Sequence, residues 1–205
     1  MFVMKTYARS AAVDDERHEF RLLGKRWSGG LEPARPITIG VRSRAVLELH
    51  RTRGGVRSRA LLGGEYVSGE GERLDWRVRY WETVGPAPQP GLLHEPLLPS
   101  LPEGLDDAVT AGLYPYVNSW TLPAGRLVID RAGYDRESSP LLFSAAAELL
   151  LHVLLARAFG APAEPVLGSW VTTGGAPAAP LPWAEKFGVR PPERGAEPPP
   201  PNHRH

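Results

Sequence analysis

Residues 130–159 read DRAGYDRESSPLLFSAAAELLLHVLLARAF, a polar turn running directly into a segment that is apolar on nearly every side. Ser138 or Ser139 stands where a helix N-cap belongs and Pro140 where the first helical residue belongs, because a cap hydroxyl accepts from the open N–H groups and proline has none to lose. The spacing therefore predicts a helix of about five turns from Pro140 to Phe159. A helix so uniformly apolar must lie against a sheet and be covered again from outside. Glu148, His152 and Arg157 interrupt it, and such groups are costly in lipid. We read it as the buried helix of a soluble, cytoplasmic protein with no membrane partner. The first twenty residues lack the apolar run of a signal peptide.

The segments before this helix supply the expected sheet. PITIGV (36–41), AVLELHRT (45–52), RALLGGEYV (59–67) and LDWRVRYWE (74–82) carry β-branched or alternating residues, the mark of strands. In the last of these, Leu74, Trp76, Val78 and Tyr80 share one face, and Asp75, Arg77, Arg79 and Trp81 the other. VGPAPQPG (84–91) reads as a rigid connector. LPSLPEGLDDAVTAG (98–112) reads as a helix stopped by Gly112, with Leu101, Leu105, Ala108 and Val109 inward. YPYVNSWTL (114–122) and GRLVID (125–130) read as further strands, RAGYDRE (131–137) as a turn, and APAEPVLGSWVTT (161–173) as an edge strand. Residues 1–35 form an N-terminal extension with no readable element. From Gly174 onward there are nine prolines, a composition that predicts disorder and that could present a polyproline ligand to a protein partner.

Composition excludes more than it assigns. The 205 residues contain no cysteine and carry a formal charge of +1, which removes disulfides, thiolate metal sites and any global field for nucleic acid. There is no phosphate-binding loop, no paired-histidine metal motif and no serine elbow. Ser138 and Ser139 are explained by capping, and Asp106 and Asp107 by the first turn of a helix. Asp130, Asp135 and Glu137 fit an exposed turn, His152 a core histidine and His50 a surface strand position. The reading is a non-enzymatic protein without a cofactor or metal.

One basic constellation stands out. In HRTRGGVRSR (50–59), Arg51, Arg53, Arg57 and Arg59 bracket Gly54 and Gly55. The glycines permit a tight turn and close approach to a phosphate. Alternation along an extended chain should project Arg51 with Arg53 and Arg57 with Arg59. Trp76, Trp81 and Tyr134 are candidate stacking platforms for bases. The structural alternative is a solvated strand face whose arginines pair with nearby glutamates.

The order of these segments resembles the fourth domain of elongation factor G. PEGLDDAVTAGLYPYV is similar to that family's G-[IL]-x-x-A-[LM]-x-x-G helix and Y-P-x-V strand, through Gly104, Leu105, Ala108, Val109, Gly112, Tyr114, Pro115 and Val117. DRAGYDRESSPLLFSAAAELLL resembles its Ser-Ser helix through Asp130, Ser138, Ser139, Phe143 and Ala146, and HRTRGGVRSRALL its Gly-Gly loop. SGEGERLDWRV and APAEPVL are similar to its following hairpin and exit segment. The resemblance implies an α+β domain over residues 36–170 of the ribosomal-protein-S5 second-domain type, a β-α-β fold with a four-stranded sheet and two helices on one face. A Pro-rich, disordered tail over residues 171–205 would follow it. It further implies that the two polar loops meet at one tip, giving an RNA or ribosome site of Arg51, Arg53, Gly54, Gly55, Arg57, Arg59, Tyr134 and Arg136. The chain departs from the family in lacking room for a GTPase domain, in carrying Tyr134 at the family's tip histidine, and in replacing R-G-Q-Y-G by Val56–Arg59. A protein-interaction or scaffold module without RNA binding is the alternative.

Overall fold

A computed structural model of the chain describes residues 1–15, 18–22, 24, 26–37, 40–80, 87–117 and 122–174. The strands are β1 (Phe2–Lys5), β2 (Arg9–Asp14), β3 (Arg26–Pro33), β4 (Arg42–Arg53), β5 (Val56–Ser68), β6 (Arg73–Tyr80), the short pair β7 (Gln89–Pro90) and β8 (Pro96–Leu97), and β9 (Gly125–Gly133). The helices are α1 (Leu105–Val117), α2 (Pro140–Ala158) and α3 (Glu164–Thr173). One seven-stranded sheet runs in the order β1-β2-β4-β5-β9-β6-β3. Every neighbouring pair is antiparallel except β6 and β9, which are parallel.

This corrects the expected S5-type domain of four strands and two helices. The sheet gains β1, β2 and β3 from residues that the sequence left unplaced. β1 has four residues, and β3 contains Gly29 and Gly30 and ends at Pro33, so neither shows the alternation that marks a half-buried strand. The third helix replaces the edge strand expected over 161–173. Its β-branched valines and threonines suggest a strand, yet Val166, Leu167, Trp170 and Val171 are the buried residues, a spacing that fits one helical face.

Two further expectations are corrected in the same region. Residues 114–117 belong to α1 and not to a strand, while 118–121 lie outside the described residues. Gly112 does not stop α1 but lies inside it, where a Cβ would sit 2.2 Å from the Ser144 carbonyl oxygen of α2. The missing side chain lets the two helices touch at the backbone. Of PITIGV, Pro36, Ile37, Gly40 and Val41 are not in a strand, and Thr38 and Ile39 lie outside the described residues. The expected turn begins later, because β9 continues through Gly133. Trp81, the connector residues 84–86 and the tail from residue 175 also lie outside them.

Helix α2 forms where the sequence placed it, with Ser139 as N-cap accepting from the Leu142 N–H and Pro140 opening the helix. It packs on β4 and β5 and is flanked by α1 and α3. By length and composition alone it would suffice to cross a membrane, but in this fold it is the centre of the core. Leu47, Leu49, Leu62, Leu127, Ile129, Phe143, Leu150 and Leu154 are all wholly buried there. The opposite face of the sheet has its own smaller core of Ala12, Phe20, Val46, Leu61, Leu92 and Leu97. The segment carrying β7 and β8, together with a short 3-10 turn at His18–Phe20, thus covers part of the outer face.

Candidate functional site

The β4–β5 hairpin pairs in register out to Arg53↔Val56, and Gly54 and Gly55 close it at φ 58° and 80°. Two successive left-handed residues make a turn whose twist matches the strands it joins. Faces follow from the cores. Ala45, Leu47 and Leu49 point to the helices, whereas Val46 and, across the ladder, Leu61 point to the outer core. By alternation Arg51 and Arg53 project on the helix side, and Arg57 and Arg59 on the outer side. The expected pairs exist, but on opposite faces of the hairpin, so the four guanidiniums do not crowd around one tip.

Their environments differ as sharply. Arg59 is 4% exposed and Glu48, beneath it, is fully buried. Arg59 donates to Glu48 Oε1 at 2.6 and 3.2 Å and to the carbonyl oxygens of Glu95 and Pro96 at 2.9 and 3.2 Å. The carboxylates of Glu95 and Asp135 lie 3.5 and 3.6 Å from it. Arg57 donates directly to Glu95 Oε1 at 3.4 Å, and both side chains are exposed. Arg53 and Arg136 are exposed and Arg51 is half-buried, and none of these three has a carboxylate partner among the described residues. His50 is held below its ordinary pKa, first by burial and further by Arg57 and Arg59, against the opposing pull of Glu95 and Glu48.

The second loop reaches the same end of the sheet. β9 pairs with β5 as far as Leu61↔Gly133, and Tyr134 then exchanges backbone hydrogen bonds with Leu98 at 2.8 and 3.0 Å. Ser138 donates its hydroxyl hydrogen to the Arg59 carbonyl oxygen at 2.7 Å and accepts from the Asp135 N–H at 3.0 Å. It thus ties the loop to the hairpin, while Ser139 alone caps the helix. Tyr134 is half-buried and packs against the main core, so its ring faces inward more than a stacking platform should. Trp76 is buried.

The alternative of glutamate partners for these arginines does not name Glu48 and Glu95, which neutralise the outer pair. A signal was available: Glu48 interrupts an otherwise apolar strand, AVLELH, and a carboxylate there calls for a cation. Among the described residues no group of His, Asp or Glu converges as a metal site would require. Comparison with known proteins returned no match to any family model, curated protein or solved structure.

Proposed function

We propose that the protein is a non-enzymatic, cytoplasmic binding domain whose tip engages RNA, on the ribosome or elsewhere, as the sequence resemblance to the fourth domain of elongation factor G suggests. One observation carries the reading: the Ser138–Arg59 hydrogen bond brings the Gly-Gly hairpin and the 134–138 loop to one end of the sheet. Arg51, Arg53 and Arg136 are the cations left for phosphate there. Arg59 serves the fold, and Arg57 is shared with Glu95. With three phosphate contacts the logarithm of affinity should fall with the logarithm of salt at a slope of about −2 on single strands.

Sedimentation with ribosomal subunits at low and high salt tests this. The wild-type chain should co-migrate at low salt, and the Arg51→Glu/Arg53→Glu variant should not. Equal co-migration of the two removes the tip from the account.

A second reading, a protein-interaction module, draws on the neutralisation of Arg57 and Arg59 and on the nine prolines of the tail. Its partners should survive nuclease treatment in a pull-down and vanish when residues 174–205 are removed.

A further inference from the structure

Among the described residues, the outer face of the sheet is covered toward the tip, by the segment that carries β7 and β8 and by the His18–Phe20 turn. Its other half, where β4 begins and β5 ends, carries two rows of side chains that the strand registers align across five strands. The first row is Arg42–Val67–Arg126–Asp75–Leu31, and the second Arg44–Glu65–Val128–Arg77–Gly29. One step along, Trp27 sits opposite Arg79. All three helices bury their apolar residues in the main core on the other face.

Charge on this half is unbalanced. Glu65 answers both Arg42 and Arg44, and Asp75 answers Arg77. Arg126 is exposed and has no carboxylate partner among the described residues. Nor does Arg79, whose guanidinium lies 4.2 Å from the Trp27 ring centroid while donating to the Leu22 carbonyl oxygen at 2.9 Å. A chain of net charge +1 therefore concentrates positive charge on one flat surface, with half-buried valines between the arginines. Strands lie about 4.8 Å apart, so Arg42 and Arg126 stand roughly 10 Å apart in the first row.

We infer that this half-face is a second binding surface, for single-stranded nucleic acid, with Arg126 and the cation left in excess by Arg42 and Arg44 sharing Glu65 on phosphates, and Trp27 on a base. The cations are all arginines, whose planar fork matches phosphate oxygens. Trp27 is 38% exposed and is held from one side by Arg79, which leaves ring surface for stacking. An acidic protein segment would share the charge requirement, and the poly-glutamate arm of the test separates it from nucleic acid.

The test is fluorescence anisotropy with a labelled, unstructured RNA 12-mer and, in parallel, poly-glutamate of similar charge. Arg126 is exposed and its side chain has no hydrogen bond or ion pair among the described residues, so Arg126→Ser should fold normally, as circular dichroism can check. We expect Arg42→Ser/Arg126→Ser to weaken RNA binding and flatten its salt dependence by a slope of about 1.4, and Trp27→Leu to weaken it about tenfold. The Arg51→Glu/Arg53→Glu variant serves as the tip control. If the face variants lose RNA and the tip variant does not, this surface stands and the tip reading fails. If only the tip variant loses RNA, or the wild type binds none, the inference is overturned. It is equally overturned if poly-glutamate binds as tightly and Trp27→Leu has no effect, since the face would then suit an acidic protein.

Discussion

Glu48 and Arg59 face each other beneath the outer surface of the sheet, with Glu48 Oε1 accepting two hydrogen bonds from one guanidinium and Oε2 accepting the Leu93 N–H at 2.9 Å. The pair comes from adjacent strands, β4 and β5. Through the Glu95 and Pro96 carbonyl oxygens it also holds the β7–β8 segment down. That segment seals Leu92 and Leu97 over Val46 and Leu61. Arg59 of the hairpin thus serves the fold itself, joining β4, β5 and the β7–β8 segment.

Removing either partner alone should be severe. Glu48→Ala leaves the buried Arg59 guanidinium with only the more distant Glu95 and Asp135 carboxylates and removes the acceptor of the Leu93 N–H, and breaking a buried pair costs about 3–5 kcal/mol. Replacing both partners by apolar residues of similar volume, as in Glu48→Leu/Arg59→Met, should cost much less, because no charge is stranded. Urea unfolding of the two variants measures the difference. A single-variant loss no larger than the double-variant loss would show that the ion pair does not anchor the segment.

The α+β class and the principal strands were legible because their signals are local. LDWRVRYW alternates, and the structure buries Leu74, Trp76 and Val78 and leaves Arg77 outside. Helix α2 announced itself through Ser139, Pro140 and an unbroken apolar run. What escaped depends on partners distant in sequence. β2 is a strand because Arg9–Asp14 pairs with Val46–Arg51, a relation that no window of residues 1–35 contains. Gly112 looked like a helix stop because its real role is a contact with Ser144, thirty-odd residues away. The split of the arginines between two faces followed from the hairpin register, but the loss of Arg59 to Glu48 required knowing which face is covered.

Gly112→Ala should be destabilising although alanine is the better helix former. Its Cβ would fall 2.2 Å from the Ser144 carbonyl oxygen, and backbone cannot rotate away as a side chain can. Forcing α1 from α2 should cost about 1–3 kcal/mol, the usual range for overpacking. A thermal melt that shows Gly112→Ala equal to or above wild type would mean the helices separate freely.

His152 predicts a stability that declines on the acid side. It sits in α2 with the Tyr116 ring edge-on at 5.0 Å, and Tyr116 in turn donates to Glu148. Burial lowers its pKa from 6.5 to about 4. Above pH 6.5 the residue is neutral folded or unfolded and contributes no slope. Between there and about pH 4 the unfolded chain takes up the proton and the folded chain does not, so stability should fall by up to about 1.4 kcal/mol per pH unit. Urea midpoints from pH 7.5 to 4.5 record the slope, and His152→Gln should remove this part of it. An identical slope in the variant would assign the acid sensitivity to other groups.

The hairpin turn separates conformation from contact. Gly54 and Gly55 hold φ 58° and 80°, and a Cβ at either would meet nothing within 4 Å. Any cost of substitution is therefore backbone strain alone. Gly54→Asn should be nearly neutral, since asparagine tolerates the left-handed region. Gly55→Val should cost about 1–2 kcal/mol, because a β-branched side chain there crowds its own carbonyl. Both leave Arg51 and Arg53 in register, so on the proposed tip reading RNA affinity per folded molecule should stay level while the melting temperature drops only for the valine. If Gly54→Asn lowers RNA binding without lowering stability, the glycine itself must approach the ligand, and the tip would be reading the nucleic-acid backbone as well as its charge.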